Sequence, residues 1–284
     1  MNDIWVCSTC KSINRQRDGH CYHCRASRSE AMRGVGPDLR TENAVANRSL
    51  RAYVPAWPLA AVAGGLILAA SALGIVILVQ QALSFGELKA AFLDSIDNQL
   101  RGAEPQLLAA ASRTATLELL RLALSLLALA TFAAWLALVT ANVPTLGGGE
   151  PSRSPARVFV YTLIPLWQLV KVPGMIQEVL YRVEPEAGGF GMVIAAWIGL
   201  VGSRLVSWIG TWMITAAGVS DIMSAPTLRD ATVVFAAMLD RAFILGVITE
   251  VMIALGAVIL VVLMARIERR CAIRDREIRA AAAA

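Results

Sequence analysis

Four long apolar runs constrain the fold of this chain more than any other feature of its sequence. Each is long enough to cross a hydrocarbon core about 30 Å thick as an α-helix, which satisfies its backbone hydrogen bonds internally. The composition agrees, because 57% of the residues are hydrophobic and only 17% are charged. We therefore predict an all-α membrane bundle at residues 57–266, in contact with the lipid bilayer. Its four transmembrane helices are expected at about residues 57–83, 117–143, 188–217 and 243–266.

A fifth apolar segment, residues 157–184, is a poor candidate for a spanning helix. Pro165 and Pro173 each remove a backbone donor, and lipid offers no replacement partner. Lys171 adds a charge between the two prolines. We predict that this segment is a broken helix, either re-entrant or interfacial. The residues of its motif are Pro165, Trp167, Lys171, Pro173 and Glu178.

Arginines at both ends of the membrane domain predict its orientation. Arg48 and Arg51 close a flexible basic linker at residues 29–56, and a basic tail at residues 267–284 follows the last span. Basic residues near span ends favour the cytosolic side. We therefore expect both termini in the cytosol, an even number of spans, and a frayed alanine-rich end to the tail. The predicted location is the plasma (inner) membrane. The arginines next to the last span are Arg266, Arg269, Arg270, Arg274, Arg276 and Arg279.

Two pairs of cysteines near the N-terminus predict a zinc knuckle at residues 1–28. Cys7 and Cys10 form one pair, and Cys21 and Cys24 form the other. Four thiolates on two tight turns are the ligand set that Zn²⁺ prefers in structural sites. The segment is too short to bury a core, so the metal would supply the folding energy. The alternative interpretation is two disulfides or four unrelated thiols.

The same motif resembles the zinc finger of Ran-binding proteins. The residues that carry the resemblance are Trp5-x-Cys7-x-x-Cys10, then Asn14, then Cys21-x-x-Cys24. The resemblance implies the knuckle fold, a bound zinc ion and a recognition surface. On this chain, that surface would contain Trp5, Asn14, Arg15 and Arg17.

Members of that family bind single-stranded RNA or ubiquitin, and this chain departs from both patterns. The RNA binders place an aromatic residue directly after the asparagine, where this chain has Arg15. The ubiquitin binders carry a Thr-Phe pair after the second cysteine, where Lys11 and Ser12 stand. We therefore expect a cytosolic protein as the partner of the knuckle, and we do not expect nucleic acid.

The membrane domain resembles an uncharacterised bacterial membrane family, the domain of unknown function 4328, over roughly residues 57–266. The resemblance adds an expectation about the fold and none about a mechanism. The residues that carry it are Ile164-Pro165, Trp167, Pro173, Met175 and Glu178, followed by Trp197 in the next span.

Two charged residues lie deep within predicted spans. Arg204 is fifteen residues from Gly189, and Glu250 is sixteen residues from Arg266, so both lie about 22–24 Å along a helix from the inner face. Charges in spans pair with one another or face a wet cavity. We predict that Arg204 and Glu250 form a membrane polar pair. Nearer the outer end, Glu118 and Arg121 are expected to form a surface pair.

The sequence contains no enzyme motif, so we predict a non-catalytic protein. Its only histidines, His20 and His23, lie in the knuckle, which leaves no His-based catalytic group in the membrane. The favoured function is a membrane adaptor that docks a cytosolic protein. The alternatives are a small transporter or channel that uses the broken helix and the buried pair, and a membrane-tethered RNA-binding protein. Cys271 is expected to be an inert thiol, with S-acylation as the alternative.

Overall fold

Helices account for nearly all of the residues that the structure describes. The computed structural model describes residues 4–7, 13–15, 21, 52–97, 104–149, 151–183 and 189–283. Two short strands, β1 and β2, pair antiparallel near the N-terminus, with Trp5 opposite Asn14. The elements are β1 (Ile4–Val6), β2 (Ile13–Arg15), α1 (Trp57–Asp97), α2 (Glu104–Asn142), a 3₁₀ turn (Pro144–Leu146), α3 (Pro155–Leu163), α4 (Pro165–Val183), α5 (Phe190–Trp197), a π-helical turn (Ile198–Gly202), α6 (Ser203–Ser224) and α7 (Leu228–Ala283).

Four of the described helical stretches are long and apolar enough to cross a membrane. This confirms the four predicted spans at the level of length and composition. The third stretch combines α5, the π-helical turn and α6. The four stretches are Trp57–Gly86, Thr114–Asn142, Phe190–Ser224 and Arg229–Ala280.

Two helices continue well beyond the predicted C-terminal ends of their spans. α1 runs on to Asp97, and α7 extends over 56 residues to Ala283. The prediction of a frayed end was therefore wrong. Alanine has the highest helix propensity of all residues, and no proline interrupts the chain between Leu228 and Ala283. Ile278 is fully buried, so the tail also packs against other residues.

The predicted break in the fifth apolar segment occurs at one proline and not at the other. Ile164 adopts an extended conformation (φ −87°, ψ 117°) between α3 and α4, as expected for a residue before proline. Pro165 then begins α4. Pro173 lies inside α4 and does not interrupt it. A helix tolerates an internal proline when the freed carbonyl finds another partner.

The chain forms two compact units. The first comprises residues 1–64, 129–193 and 262–284, and the second comprises residues 65–128 and 194–261. Polar contacts tie together separate stretches of the chain in the first unit. Asn142 exchanges two hydrogen bonds with the backbone of Val54, at 3.2 and 2.6 Å. Trp135, which is fully buried, donates from its ring nitrogen to Glu268 at 2.7 Å.

Glycines bring the third and fourth spans close together in the second unit. Gly199 lies against Gly256, Gly210 against Leu245, and Gly218 against Met238. In these three contacts the residue numbers increase along the third span and decrease along the fourth, so the two spans are antiparallel. Association of helices in a membrane depends on close packing of small residues rather than on a hydrophobic driving force. At the π-helical turn Gly199 lies against backbone atoms of Gly256, and within its own helix the Gly199 carbonyl accepts a hydrogen bond from the Ser203 hydroxyl.

Candidate functional site

A buried ion pair joins the second and fourth spans within the second unit. Nη2 of Arg121 lies 2.6 Å from Oε2 of Glu250. The two side chains are only 7% and 13% exposed. At this distance the contact is a charge-assisted hydrogen bond, which is about twice as strong as a neutral one.

Gly74 of the first span makes room for this pair. A Cβ atom at position 74 would lie 2.5 Å from Oε2 of Glu250 and 2.6 Å from Cζ of Arg121. Both distances are shorter than any normal contact of a side chain, so a larger residue at this position would displace the ion pair. The site is therefore built from three spans, with glycine on the first and one charge on each of the other two.

The predicted pairing of Arg204 with Glu250 is corrected by this geometry. Glu250 pairs with Arg121. Glu118, the expected partner of Arg121, is exposed and takes no part in this ion pair. Arg204 lies in the electrostatic field of all three residues, but its side chain is exposed. The prediction rested on the depth of each charge along its helix. Depth does not determine which face of a helix packs against a neighbouring helix. The signal for Arg121 was present in the sequence, as an arginine inside an apolar run.

The broken segment contributes a second cluster, built on an aromatic stack. The rings of Tyr161 and Trp167 are parallel within 7° and lie 4.8 Å apart. Nζ of Lys171 lies 5.9 Å from the centre of the Trp167 ring, within the range of a cation–π contact. Three of the five predicted motif residues thus meet at the junction of α3 and α4: Pro165, Trp167 and Lys171.

Glu178, the last residue of the motif, organises a separate polar network. Its carboxylate accepts from Nε of Arg182 at 2.9 Å and from the backbone nitrogen of Ser152 at 2.7 Å. Arg153 lies 3.7 Å away. Arg182 also donates to the carbonyl of Gly148 at 3.0 Å. Glu178 therefore fixes α4 to the loop that precedes α3.

The N-terminal hairpin carries the part of the predicted zinc site that the structure describes. Cys7 follows β1 directly, and both it and Cys21 are fully buried. Arg15 lies in β2, opposite Ile4. The other predicted residues, Cys10, Arg17 and Cys24, lie outside the described residues. Within the described ranges, no group of three or more metal-binding side chains occurs.

Cys271 lies in a buried part of the first unit, next to Tyr53. The thiol is 2% exposed, which favours the inert thiol over S-acylation. Burial is the main cause that raises the pKa of Tyr53 to about 12, and the charges of Cys271, Glu268 and Asp275 add to it. The Tyr53 hydroxyl therefore stays protonated at all physiological pH values.

Comparison with known proteins identifies the membrane domain. Residues 100–270, more than half of the chain, match the domain of unknown function DUF4328. No curated protein and no solved structure matches the chain. The matched residues include the broken segment, both charges of the ion pair, and the second, third and most of the fourth spans. The protein, a multi-pass helical membrane protein, therefore belongs to the DUF4328 family.

Proposed function

We propose that this protein is a non-catalytic membrane adaptor whose N-terminal zinc knuckle docks a cytosolic protein. The observation that carries the proposal is the complete burial of Cys21 and of Cys7, which directly follows β1 of the two-stranded hairpin. A segment of about 28 residues is too short to build a sufficient hydrophobic core of its own. A zinc ion bound by Cys7, Cys10, Cys21 and Cys24 would supply the missing folding energy.

A protein partner is supported by the residues on the hairpin. Trp5 and Asn14 lie opposite each other across the two strands, and Arg15 follows Asn14. Arginine is a common anchor of protein interfaces, because it combines a planar charge with an apolar stem. The chain lacks the aromatic ring that the RNA-binding members of the resembled family place between bases at that position.

The test uses the full-length protein in mild detergent, with zinc content and partner capture measured on the same samples. We expect one zinc ion per chain and a cytosolic protein that co-purifies. Cys7→Ser should lose both. Cys271→Ser is the matched control, because it also replaces a buried cysteine but lies far from the motif in sequence, and it should keep both. Zinc-free protein that still captures the partner would contradict the proposal, and capture that disappears on ribonuclease treatment would indicate RNA instead.

The adaptor requires the knuckle to lie in the cytosol, so both termini should be on the cytosolic side of the inner membrane. The arginines at both ends and the four span-length helices support this orientation. Reporter fusions after Ala46 and after Ala280 should both give the cytosolic signal. An exported signal from the second fusion would mean that an odd number of segments crosses.

A second candidate function is a small transporter or channel, which the buried pair of Arg121 and Glu250 favours. Buried charges in spans mark many ion and proton pathways. In this protein, however, the pair is closely covered by Gly74, which suits a structural contact better than an open path. Ion flux into proteoliposomes that is lost on Glu250→Gln would support transport.

A further inference from the structure

The junction of α3 and α4 exposes an apolar surface that no described residue covers. We refer to residues 160–170 as the corner. Leu166 and Val170 are 76% and 72% exposed, the highest values in the segment. The exposed apolar residues of the corner are Val160, Leu163, Ile164, Leu166, Trp167 and Val170.

The opposite end of the same helix pair is polar and anchored. In α4, the buried face begins after the corner, with Val172, Met175 and Ile176. Further along, Glu178 and Arg182 bind the loop before α3. The helix pair therefore has an apolar tip and a charged base. This is the distribution expected of helices that meet a membrane at an angle rather than lie in water.

The position of the segment in the chain places it beside the bilayer. It lies between Asn142, where the second span ends, and Phe190, where the third begins. Successive spans are joined at one face of a membrane, so α3 and α4 lie at that face. Neither is among the helices long and apolar enough to cross. The corner can therefore contact a lipid surface directly.

The length of the apolar tip decides between an interfacial and a re-entrant position. From Pro165, where α4 begins, to Val170 the helix advances about 8 Å at helical rise. Interfacial helices bury their apolar face to about 5–10 Å, whereas the midplane lies about 15 Å below the surface of the hydrocarbon core. The tip therefore reaches the boundary between headgroups and acyl chains and no further.

From these observations, we infer that the corner inserts into the lipid leaflet at that face as an interfacial anchor. Trp167 and Tyr161 are of the residue types that concentrate at the headgroup level. Lys171, over the Trp167 ring, carries a positive charge at the same level, where it can meet lipid phosphates. The inference is independent of the zinc knuckle, because every residue that carries it lies in the membrane domain.

The test replaces Leu166, and in a second variant Val170, with a fluorescent amino acid in the full-length protein. The variants are reconstituted into phosphatidylcholine–phosphatidylglycerol vesicles. Ala156 is the matched control, because it is also exposed but lies in the first turn of α3, at the charged base. Bromine atoms on the acyl chains quench a fluorophore that lies in lipid, and aqueous iodide quenches one that lies in water.

We expect bromine near the headgroup end of the chains to quench positions 166 and 170 roughly twofold more than position 156, because the tip lies at the boundary. Stronger quenching by bromine near the terminal methyl group would overturn the inference in favour of a re-entrant loop. Strong quenching by iodide would place the corner in water. Resistance to both quenchers would mean that a protein covers the corner, which also overturns the inference.

Discussion

Glu250→Leu should lower the stability of the protein in detergent by about 3–5 kcal/mol, because it leaves Arg121 buried without its partner. Arg121→Leu should cost a similar amount, since Glu250 then loses the 2.6 Å contact. The double variant should recover much of the loss, because a pair of leucines removes both buried charges. Unfolding of the four proteins by heat or by added denaturing detergent gives the coupling energy through a double-mutant cycle.

Arg204→Leu is the control for that cycle. Arg204 is exposed and is not a member of the ion pair between Arg121 and Glu250. The coupling energy between Arg204 and Glu250 should therefore be smaller than that between Arg121 and Glu250. Additive losses for Arg121→Leu and Glu250→Leu would contradict a direct pair. A larger coupling for Arg204 than for Arg121 would mean that the pairing inferred from depth alone is the correct one.

Gly256→Ala should destabilise the packing of the third and fourth spans. The added Cβ atom would lie 2.8 Å from backbone atoms of Gly199 and Leu200, and backbone cannot move aside as a flexible side chain can. Overpacking of this kind typically costs about 1–3 kcal/mol. The midpoint of thermal unfolding in detergent should therefore fall.

Gly246→Ala, in the same helix, is a matched control with the opposite expected sign. A Cβ atom at position 246 meets nothing within 4 Å. The substitution should then be neutral or stabilise the helix by up to about 1 kcal/mol, the difference in propensity between glycine and alanine. Equal destabilisation by both substitutions would indicate that α7 does not tolerate alanine at either glycine. The loss in Gly256→Ala could then not be attributed to the contact with Gly199.

Much of the membrane domain can be predicted from local properties of the sequence, read along the chain. A span must be apolar over the thickness of the bilayer, so hydropathy alone locates four helices. The break at Ile164 follows from Pro165 in the same local way, because proline restricts the residue before it. Neither prediction requires knowledge of which helices are in contact. The match to the DUF4328 family covers residues 100–270 and therefore leaves out the first of these helices.

The limits of the helices required knowledge of the packing. Residues 84–97 and the basic tail lie beyond the predicted ends of their spans, yet they continue α1 and α7. Pro173 carries the same local signal as Pro165, but it lies inside α4. A local signal for a break is overridden where the surrounding residues stabilise a continuous helix.

The choice between Arg204 and Arg121 as the partner of Glu250 was made only by the tertiary structure. The sequence determined that charges lie within the spans, and that the cost of an isolated charge in lipid requires a partner. It could not determine the partner, because depth depends on position along a helix while contact depends also on rotation about its axis. That rotation is set by close packing at positions such as Gly74, where the absence of a side chain lets three helices bring Arg121 and Glu250 together.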